Sequence, residues 1–266
     1  MLAILGGKSW KRQTAREIER LSTNASRSSS PAPRYDRASI AGLPAPVRRY
    51  FDLVLTDGQP VVARACIDWE GEFTMRPRRW SPFTATQHYR VKPPGFVWDA
   101  RIWMTGVLPV LVRDSYAERE GSLRAAIGGI VKVADERGTI DLARGELLRY
   151  LGEAVWFPTA LLPCAGVTWT AINEHTATAT LSDDEVTVSL DAHFGASGEI
   201  EAISALRPRL VAGVSVVTPW IAHVCNYTRR HGMLIPMRGE VEWQLPTGTL
   251  PYWKGRVVDV QYDFAR

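Results

Sequence analysis

VTWTAINEHTATATL (167–181), EVTVSLDAHF (185–194) and EIEAISALRPRL (199–210) decide the fold class. Each alternates apolar with polar or small residues at a period of two, which places one set of side chains on each face of an extended strand. Asp183-Asp184 and the Gly195–Gly198 segment separate them. Joints this short connect antiparallel neighbours, because a parallel pair needs a long crossover. The three segments read as a hairpin-linked meander.

The same alternation recurs outward from the meander. Downstream lie MRGEVEWQLP (237–246) and WKGRVVDVQYDF (253–264). Upstream lie ACIDWEGEF (65–73), ATQHYRVK (85–92), FVWDARIWM (96–104) and GVLPVLVRDSYAERE (106–120), while residues 121–133 are ambiguous between helix and strand. WEGEF and YWKGRVVDV share a Trp-x-Gly phrase, too short to mark a duplication. About eight to ten strands with few helices between them give an α+β class. The expected architecture is a curved antiparallel β-sheet or half-barrel wrapped on a few helices, with one face covered, one solvated, and an internal aromatic-lined cavity.

One segment interrupts the strands as a well-formed helix, ARGELLRYLGEAVWFPTALLP (143–163). Leu147, Leu148, Leu151 and Val155 make its apolar stripe, and Glu146, Arg149, Tyr150, Glu153 and Trp156 occupy the other side. Pro158 ends the helix or begins a second short one. In a β-rich chain such a helix covers or plugs the sheet. A second helix is expected from Pro44, with Val47, Tyr50, Phe51 and Val54 on one face and Asp57-Gly58 as its stop. Residues 1–38 differ: Trp10–Leu21 reads as a short helix with a thin apolar stripe, followed by a Ser/Pro-rich linker, STNASRSSSPAPR. The compact domain is therefore expected over 39–266.

The chain has 266 residues, 45% of them hydrophobic, enough for a sizeable core. A net charge of +4, with arginines interleaved among acids, gives no basic stripe for nucleic acid. Three widely spaced cysteines, Cys66, Cys164 and Cys225, do not make a disulfide framework and point to a reducing compartment. The start MLAILGGKSWKR is too short in apolar residues for a signal peptide or a spanning helix, so a cytoplasmic protein without stable membrane insertion is expected. Ten tryptophans suggest large aromatic surfaces in the core or around an apolar ligand.

Within FVWDARIWM, Val97, Asp99, Arg101 and Trp103 share one face and Trp98, Ala100, Ile102 and Met104 the other. Asp99 and Arg101 could orient a polar ligand group or form a surface ion pair. Asp114 and Tyr116 share a face on the next strand, so a carboxylate and a phenol could meet one substrate. His223, Cys225 and His231 are the only near-cluster of metal-ligand types, without a metal-site spacing, and no metal is expected. No GxGxxG, GxxxxGK[ST] or GxSxG occurs, so nucleotide cradles and serine hydrolase chemistry have no signature, and no cofactor is expected.

FVWDARIWM, ARGELLRYLGEAVWFPTALLP and TPWIAH (218–223) resemble a bacterial family known only as a domain of unknown function, over roughly residues 42–264. The resemblance implies no activity and transfers no site residues. Many members of that family look membrane-tethered at the N-terminus, where this chain has a polar, Ser-rich lead.

The functional expectation is a cofactor-independent acid–base enzyme, a lyase or isomerase, acting on an apolar or aromatic small molecule. Asp99 or Glu153 would take a proton, Arg101 hold an anionic group and Tyr150 donate to an oxyanion. Trp69, Trp98, Trp103, Trp156 and Trp220, with Asp114 and Tyr116, would bind the substrate. The alternative is a non-catalytic lipid or hydrophobic-ligand carrier on the same curved sheet. A structural or interaction domain is a third reading.

Overall fold

In the computed structural model of the protein the described residues are 2–23, 33–76, 79–104 and 108–265. Thirteen strands form one antiparallel sheet in the order β6-β5-β4-β3-β2-β1-β13-β12-β11-β10-β9-β8-β7. The first arm comprises β1 (Val62–Arg76), β2 (Arg79–Arg90), β3 (Gly95–Ile102), β4 (Val110–Ala117), β5 (Glu120–Ile127) and β6 (Val131–Arg137). The second comprises β7 (Val167–Asn173), β8 (Thr176–Asp183), β9 (Val186–Phe194), β10 (Ile200–Val211), β11 (Val214–Arg230), β12 (Met233–Leu245) and β13 (Gly248–Phe264). Every neighbour in the sheet is consecutive in sequence except β1 and β13. The chain thus runs out to one edge, crosses to the opposite edge, and works back to pair its last strand with its first.

The crossing is made by α3 (Ile140–Glu153) and three single-turn 3-10 helices at Ala154–Trp156, Pro158–Leu161 and Pro163–Ala165. The helix expected from Ala143 starts three residues earlier and stops at Glu153, and the second short helix expected after Pro158 is the 3-10 turn Pro158–Leu161. Thr139 caps the start of α3 by accepting from the Leu142 amide at 3.2 Å, and Pro158 and Pro163 prevent continuation beyond it. Lying across a curved sheet, α3 touches β3, β4 and β5 of one arm and β9 and β10 of the other. The arms meet directly as well. Tyr116 on β4 donates to Asp183 at the end of β8 at 2.8 Å, and Arg119 pairs with Asp184 beside it.

Two elements read differently from their sequence. Residues 121–133 become most of β5 and the start of β6. Residues 214–230 form one seventeen-residue strand, β11, for which the first half gives no alternation because Val214, Val216 and Val217 leave apolar groups on both faces. α2 (Ala45–Val54) forms as expected, with Val47, Tyr50, Phe51 and Val54 buried. The N-terminal helix α1 is longer than expected, Leu2–Thr23, and lies on the outer face of the first arm. Most of the Ser/Pro-rich linker, residues 24–32, lies outside the described residues.

Both faces of the first arm are therefore covered. On the outer face Trp10 packs on Leu111 and Ala126, and Arg113, 1% exposed, donates to Thr14 at 2.8 Å and pairs with Glu17 at 3.0 Å. On the inner face Leu147, Leu148 and Leu151 are buried, each contributing about 1.5–3 kcal/mol by removal from water. The three cysteines are free thiols.

Candidate functional site

The inner face carries a continuous aromatic wall. Trp156 meets Trp69 edge-on at 4.8 Å between ring centroids, Trp69 meets Trp253 at 5.5 Å, Trp253 meets Phe83 at 5.9 Å, and Phe83 meets Trp98 at 5.9 Å. All but the tilted Trp253–Phe83 pair are edge-to-face, a geometry that adds about 0.5–1.5 kcal/mol per pair beyond burial. A row of glycines makes room for it. Gly71, Gly255 and Gly239 lie side by side on β1, β13 and β12. A Cβ on Gly255 would come within 2.3 Å of the Trp253 ring, and one on Gly239 within 3.3 Å of both Trp156 and Trp253. The Trp-x-Gly phrase shared by β1 and β13 is thus a packing device, with each indole and the glycine two residues on facing inward.

A polar cluster sits where the polar side of α3 meets this wall. Glu153 accepts from Gln87 Nε2 at 2.7 Å, Tyr89 Oη at 3.1 Å and Arg149 Nε at 2.8 Å. Arg149 also pairs with Asp114, and its guanidinium lies over the rings of Phe96 and Trp98 at 5.0 and 5.1 Å. One turn earlier, Glu146 pairs with Arg207 of β10 at 3.2 Å. The Arg207 guanidinium lies 5.7 Å from Trp220 and 5.9 Å from Trp243, and Trp220 donates to Tyr252 Oη at 2.9 Å. Three carboxylates and two guanidinia are thereby held between the helix and the two arms. Asp114 Oδ1 and Glu146 Oε2 are buried oxygens without a hydrogen-bond partner.

The electrostatics follow from burial. Burial opposes the Arg149 charge, but Glu153, Asp114 and Glu146 outweigh it and raise its pKa. Burial, reinforced by Asp114, pushes the Glu146 carboxyl up to about 8, against the opposing pull of Arg207 and Arg149. Glu146 is therefore an acid near neutral pH, although it touches a guanidinium.

The sheet divides the residues expected to act together. Trp69, Trp98, Asp114, Tyr116, Trp156, Trp220, Tyr150 and Glu153 are on the inner side with α3. Asp99, Arg101 and Trp103 are on the outer side, as their position on alternate residues of β3 requires. Asp99 accepts from Trp10 Nε1 of α1 at 2.8 Å, and burial raises its pKa, opposed by that bond and by Arg113. Arg101 and Trp103 are exposed. Asp99 and Glu153 thus cannot reach one substrate through the sheet. Tyr150 is buried with its hydroxyl 3.5 Å from the Val91 carbonyl oxygen. Tyr116 is spent on the contact with Asp183. Sequence reasoning missed Gln87, Tyr89, Arg207 and Tyr252. Gln87 and Tyr89 alternate with His88 on an apparent strand, so their common face was available as a signal, while Arg207 and Tyr252 carried none.

His223 and Cys225 are exposed on β11, and His231 Nε2 lies 2.9 Å from the Val260 carbonyl oxygen. Among the described residues no three metal-ligating side chains converge.

An open antiparallel sheet folded around an inserted helix, with aromatic walls and a buried ionic cluster, defines the class of protein. The chain belongs to the family of unknown function DUF6920, whose model matches residues 41–262. No curated protein matches the chain. Among solved structures it is similar to a LolA superfamily protein from Nitrosomonas europaea, at 10% identity and a TM-score of 0.41 over 84% of this chain and 94% of that one. It is also similar to a beta-barrel-like protein of the domain of unknown function DUF1849 from Brucella abortus, at 7% identity and a TM-score of 0.23, over 77% and 99% of the two chains. Among the described residues no helix is long and apolar enough to cross a membrane.

Proposed function

We propose that the protein binds an apolar or aromatic small molecule between α3 and the inner face of the sheet, without transforming it. The observation that carries this reading is the state of the carboxylates beside the aromatic wall. A general base needs a lone pair aimed at a substrate proton. Both oxygens of Glu153 are instead occupied, by Gln87, Tyr89 and Arg149, and one oxygen of Asp114 is held by Arg149. What the cluster leaves open is one oxygen on each of two carboxyls, the acceptor Asp114 Oδ1 and Glu146 Oε2, which carries the proton of the neutral acid. Those suit a hydroxyl or amine on an otherwise apolar ligand, whose body would lie against Trp69, Trp98, Trp156 and Trp220. Because α3 occupies the concavity, binding requires the helix to give way, and Gly138 at φ +74° before its first turn supplies a hinge. The three free thiols support a cytoplasmic setting.

The test is titration of the purified full chain with a fluorescent apolar probe, together with native mass spectrometry of the protein before and after solvent extraction. Saturable one-site binding that weakens in Trp98→Ala and Trp220→Ala supports the reading. Absence of saturable binding by either method rejects it.

A second reading, an acid–base enzyme, is favoured by the Glu146 carboxyl, which titrates near neutral pH among Arg207, Tyr252 and Trp220. In it Glu146 or Glu153 moves the proton, and Asp99 and Arg101, on the outer face of the sheet, take no part. Glu146→Gln and Glu153→Gln would each abolish turnover while leaving ligand affinity within about tenfold.

A further inference from the structure

Six of the exposed large apolar side chains of the second arm sit on one hairpin, including the three most exposed, Leu206, Val214 and Val217. Leu206, Leu210, Val211, Val214, Val216 and Val217 are 41 to 68% exposed. Their hairpin leaves the sheet: β10 pairs with β9 only over Ile200–Ser204, and β11 pairs with β12 only from Trp220 onward. Residues 206–219 therefore pair only with each other, from Leu206↔Pro219 to Val211↔Val214. The turn is Ala212-Gly213, with φ of +49° and +84°, the left-handed pair that closes a two-residue hairpin.

Beyond Arg209 the tip of the projecting segment is apolar on both faces, while Arg207 and Arg209 lie on one face nearer the sheet. Leu206, Leu210 and Val217 alternate with Val211, Val214 and Val216, and no charged residue occurs from Leu210 to Trp220. The neighbouring β12–β13 turn is also free of charge, from Trp243 to Trp253. A protein partner ordinarily covers one face of a sheet. A hairpin apolar on both faces needs surroundings that are apolar on every side. At its base stands Arg209, with its guanidinium 5.7 Å from the Trp243 ring. Indoles and arginines behind an apolar tip are the residues that settle at the headgroup level of a bilayer.

We infer that the β10–β11 hairpin tip inserts into the interfacial layer of a lipid bilayer, with Arg209 among anionic headgroups. The net charge of +4 acts in the same direction. The two open strand edges limit the depth, since unpaired backbone groups are not tolerated in hydrocarbon but are met by water and headgroups at the surface. The protein therefore docks and does not span. This inference stands independently of whether a ligand binds beneath α3.

The test is flotation of the full chain with vesicles of phosphatidylcholine alone and of equal parts phosphatidylcholine and phosphatidylglycerol. The wild type is expected to float with the mixed vesicles. Val214→Asp combined with Val217→Asp lowers the bound fraction about tenfold or more, with an unchanged circular dichroism melt because both positions are exposed. Arg209→Ala weakens binding to the mixed vesicles only. Absence of wild-type binding, or equal binding by the double variant, overturns the inference. So does a wild-type dimer that the double variant dissociates in the absence of any vesicle binding, which would assign the hairpin to a second copy of the chain.

Discussion

Tyr116 and Asp183 join the two arms of the sheet: the phenol of β4 donates to the carboxylate at the end of β8 at 2.8 Å, across 67 residues of sequence. Tyr116 is fully buried, and burial together with Asp183 raises its pKa, so the hydroxyl remains a donor throughout the accessible pH range. Arg119 and Asp184 lie beside it, both largely exposed. An exposed pair of that kind contributes little, so the buried phenol is the stronger half of the contact. Tyr116→Phe is expected to destabilise the protein by about 1.5–3 kcal/mol, the cost of a hydrogen bond to a charged group. Arg119→Ala should cost less. Urea unfolding of the two variants checks the order, and equal effects would refute it.

Gly255 is predicted to be intolerant of any side chain. A Cβ there would lie 2.3 Å from the Trp253 ring, which is itself packed against Trp69 and Phe83. The indole cannot swing away without breaking the aromatic row. Gly255→Ala should cost about 1–3 kcal/mol as overpacking, whereas Gly7→Ala, with nothing within 4 Å and a helical setting, should be neutral or mildly stabilising. Thermal melts of both variants decide it.

The buried ion network should show strong non-additivity. Arg149→Met leaves Asp114 and Glu153 buried without their shared cation, at a cost of about 3–5 kcal/mol. Adding Asp114→Asn and Glu153→Gln removes the uncompensated charge, and the triple variant should recover most of that loss. A triple variant as unstable as the single one would mean that Arg149 acts through its packing on Phe96 and Trp98 instead.

Much of the sheet could be read from alternation alone. The faces of FVWDARIWM were correctly divided, because a strand leaves no choice once its direction is set. Nothing in that strand says which face is the inner one, and placing Asp99 with Glu153 depended on that choice. The outer cover was hidden for a similar reason: Arg113 and Arg90 look like surface residues, yet each is 1% exposed and bonded to α1, through Thr14 and the Leu21 carbonyl respectively. Such partners lie about 70 to 100 residues away in sequence. The helix posed a related problem. A polar stripe of Glu146, Arg149 and Glu153 has the spacing of a solvated face, and only the second arm, contributing Arg207, makes it an interior one. The first half of β11 carries no alternation because a strand exposed on both faces at a projecting tip has no inside to alternate toward.

Glu146 should give the protein a recognisable pH dependence. Its folded pKa, about 8, lies above the ordinary value of 4.5. The folded state therefore holds a proton that the unfolded chain releases between those two values. Stability contributed by this group is fully present below pH 4.5, declines as pH rises toward 8, and is gone above it, a change on the order of a few kcal/mol. Glu146→Gln reproduces the shape of the protonated acid and cannot ionise. At pH 5 the variant should match the wild type within about 1 kcal/mol, because Arg207 then faces a neutral partner in both. At pH 8 the variant should be the more stable of the two. Urea unfolding of wild type and variant at several pH values between 5 and 8 measures the divergence. Parallel curves would show that Glu146 is ionised throughout, with Arg207 outweighing its burial.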